Sequence, residues 1–478
     1  MEFPPSSPHL PISGIFAIEK PCGITAMSHL ARLKPLFSSS RLFSQPNEDH
    51  RWPSPSSSSP EARKHFNKQH EDFMLEMSYD WRDRRSSAKS QGVHMMEWKE
   101  VNDRFVKMGT GGSLDSLANG VLIVGINEGR HNLSHFIESD KVYRITALLG
   151  CETDSGDSKG NVSRFAPWAH VMERDIQHCL GAFNGVIWQK TSIYPAFKVG
   201  GLTLAQYANL DKPLPEPILS RKYTISHLSL LSFAPYPHHS YIYPESRLTK
   251  DQLRERRKIF ELVAQSEEGG PPQNHYRGYR DKGMPRSDRS AFPPKRVGQA
   301  DAAVSWRRNA PMTSIAPLLS HDGVRHNETD DDLQPSPGHP PVFEIQVTVS
   351  SGTNIRTLIN DIAKSVQSAA HVVALTRVGQ TPFYLEKTTT LPSVSTLEPI
   401  TDNQNGSSEK QGLTSRTHLE FPCLPARVLE EALMIRDQDG NFTRDKDGWA
   451  EWERAILEIW PDQSRLMANL SSSLKRRW

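Results

Sequence analysis

Lys107-Met108-Gly109-Thr110-Gly111-Gly112-Ser113-Leu114-Asp115-Ser116-Leu117-Ala118-Asn119-Gly120 sets one carboxylate, Asp115, just after a glycine-rich loop and before a small-residue, apolar run. Glycines accept positive φ and let a backbone approach a ligand closely, which shapes a tight pocket floor. The following Val121-Leu122-Ile123-Val124-Gly125-Ile126 reads as a buried strand. A carboxylate held between glycines and a core strand is a candidate nucleophile. Spacing alone gives the same pattern to an ordinary turn, where Asp serves the backbone.

Working outward, core-like sequence occupies roughly residues 12–36, 101–235 and 341–395. Val142 to Leu149 reads as a strand, and Ala169 to Phe183 as a helix with Met172, Ile176, Leu180 and Phe183 on one face. Phe343 to Val349 alternates at period two, as a half-buried strand does. Ile355, Leu358, Ile359, Ile362 and Val366 mark one face of a helix that starts just after Gly352-Thr353. Strands and helices mix without regular βαβ spacing, so the expected fold class is α+β.

Two stretches interrupt this core. Residues 37–100 include Ser54-Pro55-Ser56-Ser57-Ser58-Ser59-Pro60, and residues 236–340 are rich in Pro, Arg, Gly and His. Loops that long are rare inside compact domains, so both read as largely disordered insertions. Within the second, Thr249 and Gln252 form a capping box that opens a helix through about Gln265. Its Arg254, Arg256, Arg257 and Lys258 read as a solvated face, with an RNA-backbone contact as the sharper alternative. Arg277-Gly278-Tyr279-Arg280 pairs arginine with an aromatic in the same way. Residues 396–420 read as a linker; Asp447-Gly448-Trp449-Ala450-Glu451-Trp452 then starts an amphipathic helix through Ile456 and Trp460, stopped by Pro461 and expected to dock on the core or a partner.

Five ordered blocks resemble the TruB family of tRNA pseudouridine synthases. The Asp115 stretch is similar to that family's catalytic loop. Gly14 to Thr25, with Lys20-Pro21-Cys22-Gly23, resembles its opening strand and Lys-Pro-x-Gly turn. Asp140-Lys141-Val142-Tyr143, followed by Thr153-Asp154-Ser155-Gly156-Asp157, resembles its Asp-Lys-x-Tyr segment. Ser192 to Lys198 resembles the Tyr-Ser-Ala-x-Lys block. Gly352-Thr353-Asn354-Ile355-Arg356-Thr357 resembles the Gly-Thr-Tyr-Ile-Arg-Thr block, with His371-Val372 and Leu375-Thr376-Arg377 after it.

The resemblance implies a mostly antiparallel, curved mixed sheet flanked by helices, forming a catalytic core over residues 12–395, with a linker and helical tail over 396–478. The PUA RNA-binding domain of many bacterial relatives has no convincing counterpart in that tail. It also implies Asp115 as the catalytic carboxylate, Arg356 as its pairing arginine, and Tyr143 as the tyrosine that stacks on the target base. Lys20 and Lys198 match positions near the cleft, in structural or phosphate-facing roles. Thr110, Gly111, Gly112, Leu114 and Asn354 fall where the family binds substrate.

Pseudouridylation breaks the N1–C1′ bond of uridine, rotates the base and rejoins it through C5. It needs no redox change or acceptor, so neither cofactor nor metal is implied. The chemistry is akin to glycoside cleavage, where a carboxylate stabilises an electron-poor anomeric carbon. An active Asp must stay ionised in a closed pocket, and a guanidinium opposes the desolvation that would protonate it. The target base must be flipped out of its stack.

Four departures stand at or near the cleft: Thr110 for the usual His, Ser116 for Pro, Asn354 for Tyr and Asn209 for Arg. Ser116 is expected to loosen the loop, since Pro restricts φ. The family implies a stand-alone enzyme acting on the T-loop uridine at position 55, a monomer whose partner is the tRNA T-arm, with mRNA as a second substrate class and no guide RNA. The guide-dependent dyskerin branch and a tRNA-folding chaperone with lost turnover are the competing readings. A P-loop nucleotide binder is disfavoured, because the loop lacks the Gly-Lys-Ser/Thr ending.

Composition sets the outer bounds. Among 478 residues, hydrophobic content is 36% and proline numbers 35, so part of the chain packs no core. Lys+Arg 57 against Asp+Glu 55 leaves a nucleic-acid binder dependent on a local basic patch. Cys22, Cys151, Cys179 and Cys423 lack zinc spacing and fit a reducing compartment. No apolar run long enough to span a membrane is present, and the first residues read as neither secretory signal nor Arg-rich transit peptide. The insertions and tail resemble those of a fungal-type member, which implies the nucleus, with the mitochondrion as a second location.

Overall fold

The computed structural model describes residues 10–44, 106–190, 197–268, 336–385, 420–438 and 442–467. Ser54–Pro60, Ser192–Ala196, the Arg277–Arg280 motif, the 396–419 linker and the last eleven residues lie outside them. The chain forms two compact units. The first comprises residues 1–146, 346–352 and 374–478, and the second residues 147–345 and 353–373.

The main strands are β1 (Gly14–Lys20), β2 (Asn119–Ile126), β3 (Lys141–Leu149), β4 (Gly185–Lys190), β5 (Ser220–Ala234), β6 (Val342–Val349) and β7 (Ala370–Gln380). The main helices are α1 (Ala26–Ser38), α2 (Lys250–Glu268), α3 (Ile355–Ser365), α4 (Ala426–Gln438) and α5 (Glu451–Ile459). Strands β3, β6 and β7 run through both units. In the first unit the order is β1–β2–β7–β3–β6; in the second it is β7–β3–β6–β5–β4. β1 pairs antiparallel with β2 from Gly14↔Ile126 to Lys20↔Gly120, whereas β7 pairs parallel with β2 at Thr376↔Asn119 and Arg377↔Gly120. The sheet is therefore mixed and helix-flanked, in agreement with the α+β expectation.

In the first unit, β1 and β2 bury nearly every side chain, as their unbroken apolar runs require. Ile15, Ala17, Val121 and Ile123 pack with Leu133, Phe136 and Phe383. Phe37, Leu42 and Phe43 are fully buried, although they lie in the stretch read as insertion. They do so because the C-terminal tail packs on them: Trp452 of α5 stacks on Phe37 at 5.6 Å, and Trp460 lies 5.4 Å from Phe16. The tail helix thus docks on the core of its own unit.

In the second unit, the helix expected from Ala169 begins at Glu173 and runs to Leu180. Met172 is its N-cap and is exposed, while Ile176, Leu180 and Phe183 are buried. The start moves because Asp175 accepts the Met172 N–H at 2.9 Å, ending the extended approach there. Helix α3 begins where expected: Asn354 Oδ1 accepts the Thr357 N–H at 3.1 Å.

Candidate active site

In the first unit the Asp115 loop is tied down on several sides. Gly111 N–H donates to the Ile123 carbonyl at 2.9 Å. On the turn after β1, Gly23 N–H donates to Ser116 O at 2.7 Å and Ala26 N–H to Leu114 O at 3.0 Å. The Cys22 thiol reaches Leu117 O at 3.0 Å. These bonds hold the loop where Ser116 replaces the stiffer proline.

A second set of anchors comes from β7. Arg377, 1% exposed, donates through Nε to Val121 O at 2.7 Å and through Nη1 to Ser113 O at 3.2 Å. Gln380 Nε2 donates to Gly111 O and Phe136 O at 2.6 and 2.7 Å. Thr376 donates to the Asn119 side chain at 2.7 Å. Such buried donors are costly to leave unmatched, so they specify one loop conformation.

Asp115 is half-buried, and its Oδ1 accepts the Ala118 N–H at 3.0 Å. That bond sets the carboxylate at the entrance to β2. Gly120 follows at φ +104°, and a Cβ there would meet the Arg377 carbonyl at 2.3 Å. Only glycine admits β7 this closely. Thr110 and Gly112 are half-buried, whereas Gly111 and Leu114 are buried. Tyr143 is half-buried on β3, in the same unit.

Lys20 is fully buried, and its ammonium donates to Pro21 O at 2.8 Å and Ile24 O at 2.6 Å. These contacts close the turn that grips Leu114 and Ser116. Nearby on α1, His29 is also fully buried; burial first, then Arg32 and Lys20, push its pKa down to about 3.

Arg356 belongs to the second unit, at the start of α3. Its Nε stands 2.7 Å from Asp157 Oδ2. Asp157 is buried, and its other carboxylate oxygen accepts from Ser155 Oγ at 2.8 Å and Lys159 N at 3.0 Å. Gly156, at φ +74°, brings this turn against the arginine: a Cβ there would sit 3.0 Å from Arg356 Cβ. The turn is fixed in turn by β7, through Val372 N to Gly156 O at 3.0 Å and Ser158 N to Val372 O at 2.9 Å.

Asn354 is clasped from behind. Buried Gln189 donates to Asn354 O at 3.2 Å and accepts Asn354 N–H at 3.0 Å. With its own side chain capping α3, Asn354 sets the direction in which the helix presents Arg356. Lys198 is exposed, on the two-residue strand Lys198–Val199 of the same unit.

The structure thus brings Arg356 to Asp157 and Asn354 to Gln189, and it builds the Asp115 loop on Arg377 and Gln380. Asp157 and Arg377 stood inside quoted motifs without a role; a charged residue in otherwise apolar or turn sequence is the signal that could have marked them. Gln189 and Gln380 carried no local signal, because each acts on backbone distant in sequence.

Residues 99–245 match the N-terminal domain of the TruB family of pseudouridylate synthases. The chain is 32% identical over 289 residues to tRNA pseudouridine synthase 4 of Schizosaccharomyces pombe, covering 59% of this chain and 66% of that protein. It is 28% identical over 384 residues to tRNA pseudouridine synthase 4 of Saccharomyces cerevisiae, covering 79% of each. Over 144 residues it is 34% identical to human pseudouridylate synthase TRUB1, covering 30% of this chain and 41% of that one. The chain belongs to the TruB pseudouridine synthase family.

Proposed function

We propose that this chain is an isomerase that converts a uridine of tRNA to pseudouridine, acting on the T-loop uridine at position 55 without guide RNA or cofactor. The observation that carries the reading is the Asp115 loop: a half-buried carboxylate at the mouth of a core strand, its backbone locked by the buried Arg377 and Gln380. Preorganisation of that kind holds a reacting group in place without reorganisation during the chemical step.

In this reading the T-arm delivers a flipped uridine, Tyr143 stacks on the base, and Asp115 assists departure of N1 from C1′. The base turns, C5 bonds to C1′, and the proton displaced from C5 is lost as N1 gains one, so atoms balance with no co-reactant. Arg356, oriented by Asp157, supplies positive charge to the reaction centre. Lys198 offers an exposed ammonium to backbone phosphate.

The test is pseudouridine formation on an unmodified tRNA transcript by purified protein with no guide RNA, with Asp115→Asn alongside. Product at the T-loop uridine that disappears in the variant is expected. Tight tRNA binding with no product from the wild type would leave a folding chaperone in its place, and product only after adding a guide RNA would leave the guide-dependent branch.

A further inference from the structure

Helix α2 carries the basic cluster that the sequence offered as either a solvated face or an RNA contact. Its Arg256 is committed to the protein itself. On one side, Ile259 and Val263 are buried against Val199, Leu204, Tyr207 and Ile218, the segment that follows Lys198. On another, Arg256 reaches Glu152: Nη2 lies 3.3 Å from Glu152 Oε1, and Nη1 lies 3.5 Å from the Asp154 carbonyl. Arg254 pairs with Asp251 at 3.1 Å, and Lys258 stands 3.9 Å from Asp211.

Glu152 is the centre of this arrangement. It is 9% exposed and also takes Arg164 at 3.5 Å. Burial pushes its carboxyl up, but Lys364, Arg164 and Arg256 outweigh burial and hold it below the usual carboxylate range. Lys364 lies on α3, the helix that opens with Arg356. Glu152 is thus paired with Arg256 of α2 and with Arg164, and feels the Lys364 charge of α3 as well.

The contacts continue to the site. Asp154 closes the turn by accepting Asn161 N–H at 2.9 Å, and Thr153 Oγ1 donates to Asp157 O at 2.8 Å. Asp157 then holds Arg356. From Arg256 to Arg356 the path runs through polar contacts joined by the backbone of the six residues Glu152–Asp157.

We infer that Arg256 is a positioning residue for Arg356: by clamping Glu152 and the Asp154 carbonyl, α2 braces the turn whose Asp157 aims the guanidinium. The inference rests on the proposed role of Arg356 in pseudouridine formation. It assigns Arg256 of α2 to the protein's own buried anion rather than to RNA phosphate.

The test measures single-turnover rate and tRNA Kd, with melting temperature as a check on folding. The proteins are full-length wild type, Arg256→Ala, Arg256→Lys, Asp157→Asn and the Arg256→Ala/Asp157→Asn double variant. Arg256→Ala is expected to slow the chemical step by roughly 10-fold with Kd within about twofold, and Arg256→Lys to recover most of the rate. The double variant is expected to be no slower than Asp157→Asn alone, as for two residues acting through one path. Weakened tRNA binding with the rate intact would make α2 an RNA contact and overturn the inference. Multiplying rate losses, or an Arg256→Ala enzyme like wild type, would also overturn it. Should Arg256→Ala fail to fold, the lysine variant carries the same comparison. A wild type that makes no pseudouridine would overturn the proposed activity and this inference together; an active wild type indifferent to Arg256 overturns the inference alone.

Discussion

Arg356 is held by Asp157, Nε to Oδ2 at 2.7 Å, with the carboxylate 5% and the guanidinium 24% exposed. The sequence offered Asp115 as the partner of this arginine. The structure adds an acid from its own unit, Asp157, beside the guanidinium.

Asp157→Asn is expected to lower the single-turnover rate of pseudouridine formation by roughly 10- to 100-fold, because the arginine loses its orienting charge. Binding of tRNA should change by no more than a few-fold. A rapid-quench assay with saturating enzyme reads both, and a wild-type rate would remove this pair from the proposed site.

Arg377→Met replaces the buried donor to Ser113 O and Val121 O with an apolar chain of similar length. The two carbonyls then lack their donor, and a loss of about 2–4 kcal/mol is expected in urea unfolding. Activity should fall further than stability, since the loop bearing Asp115 is what the guanidinium holds.

Gly120→Ala puts a methyl group 2.3 Å from the Arg377 carbonyl and asks an L residue to adopt φ +104°. The atoms it meets are Arg377 backbone, which does not yield as a flexible side chain would. A destabilisation of about 2 kcal/mol or more is expected by thermal or urea unfolding.

His29 titrates near 3 in the fold against 6.5 in an open chain. Its folded state binds fewer protons, so the associated stability is present above pH 6.5 and drains away as pH falls toward 3. Between pH 7 and 5 this amounts to about 2 kcal/mol. His29→Leu, which fills the site without a titrating ring, should show a flatter stability profile over that interval. Parallel profiles for the two proteins would refute the assignment.

Asp361 behaves with the opposite sign. Burial first, and then Glu152, raise it from 3.8 to about 6 against the pull of Lys364. Stability tied to its neutral form is complete below pH 3.8 and is lost as pH rises through 6. Asp361→Asn should therefore stabilise the protein at pH 7.5 by about 1–2 kcal/mol, with no gain at pH 4. Urea midpoints at the two pH values separate the outcomes.

Elements with strong local periodicity were readable in advance. β2, β3, β6 and α3 stand within a residue or two of their expected limits, because burial writes its apolar pattern into the chain; the tail helix, expected from Asp447, begins at Glu451. The capping box at Thr249 and Gln252 forms as spaced, with Gln252 Oε1 accepting Thr249 N–H at 2.9 Å. Misjudged segments were those whose apolar residues needed a distant partner. Phe37, Leu42 and Phe43 sit beside Ser- and Pro-rich sequence and look like linker until Trp452 covers them.

By itself the sequence determined the α+β class, the family, and the loop in which Asp115 follows its glycines, since each rests on neighbouring residues or an ordered set of motifs. Only the tertiary structure decided what holds those residues in place. Arg377 reaches Ser113 across 264 positions of sequence, Gln189 reaches Asn354 across 165, and Arg256 reaches Glu152 across 104. Arg256 of α2 is the clearest instance: charge alone cannot say whether a cation faces water, phosphate or a buried carboxylate. The answer depends on which anion the fold brings within 4 Å of it, and burial makes that anion the stronger partner.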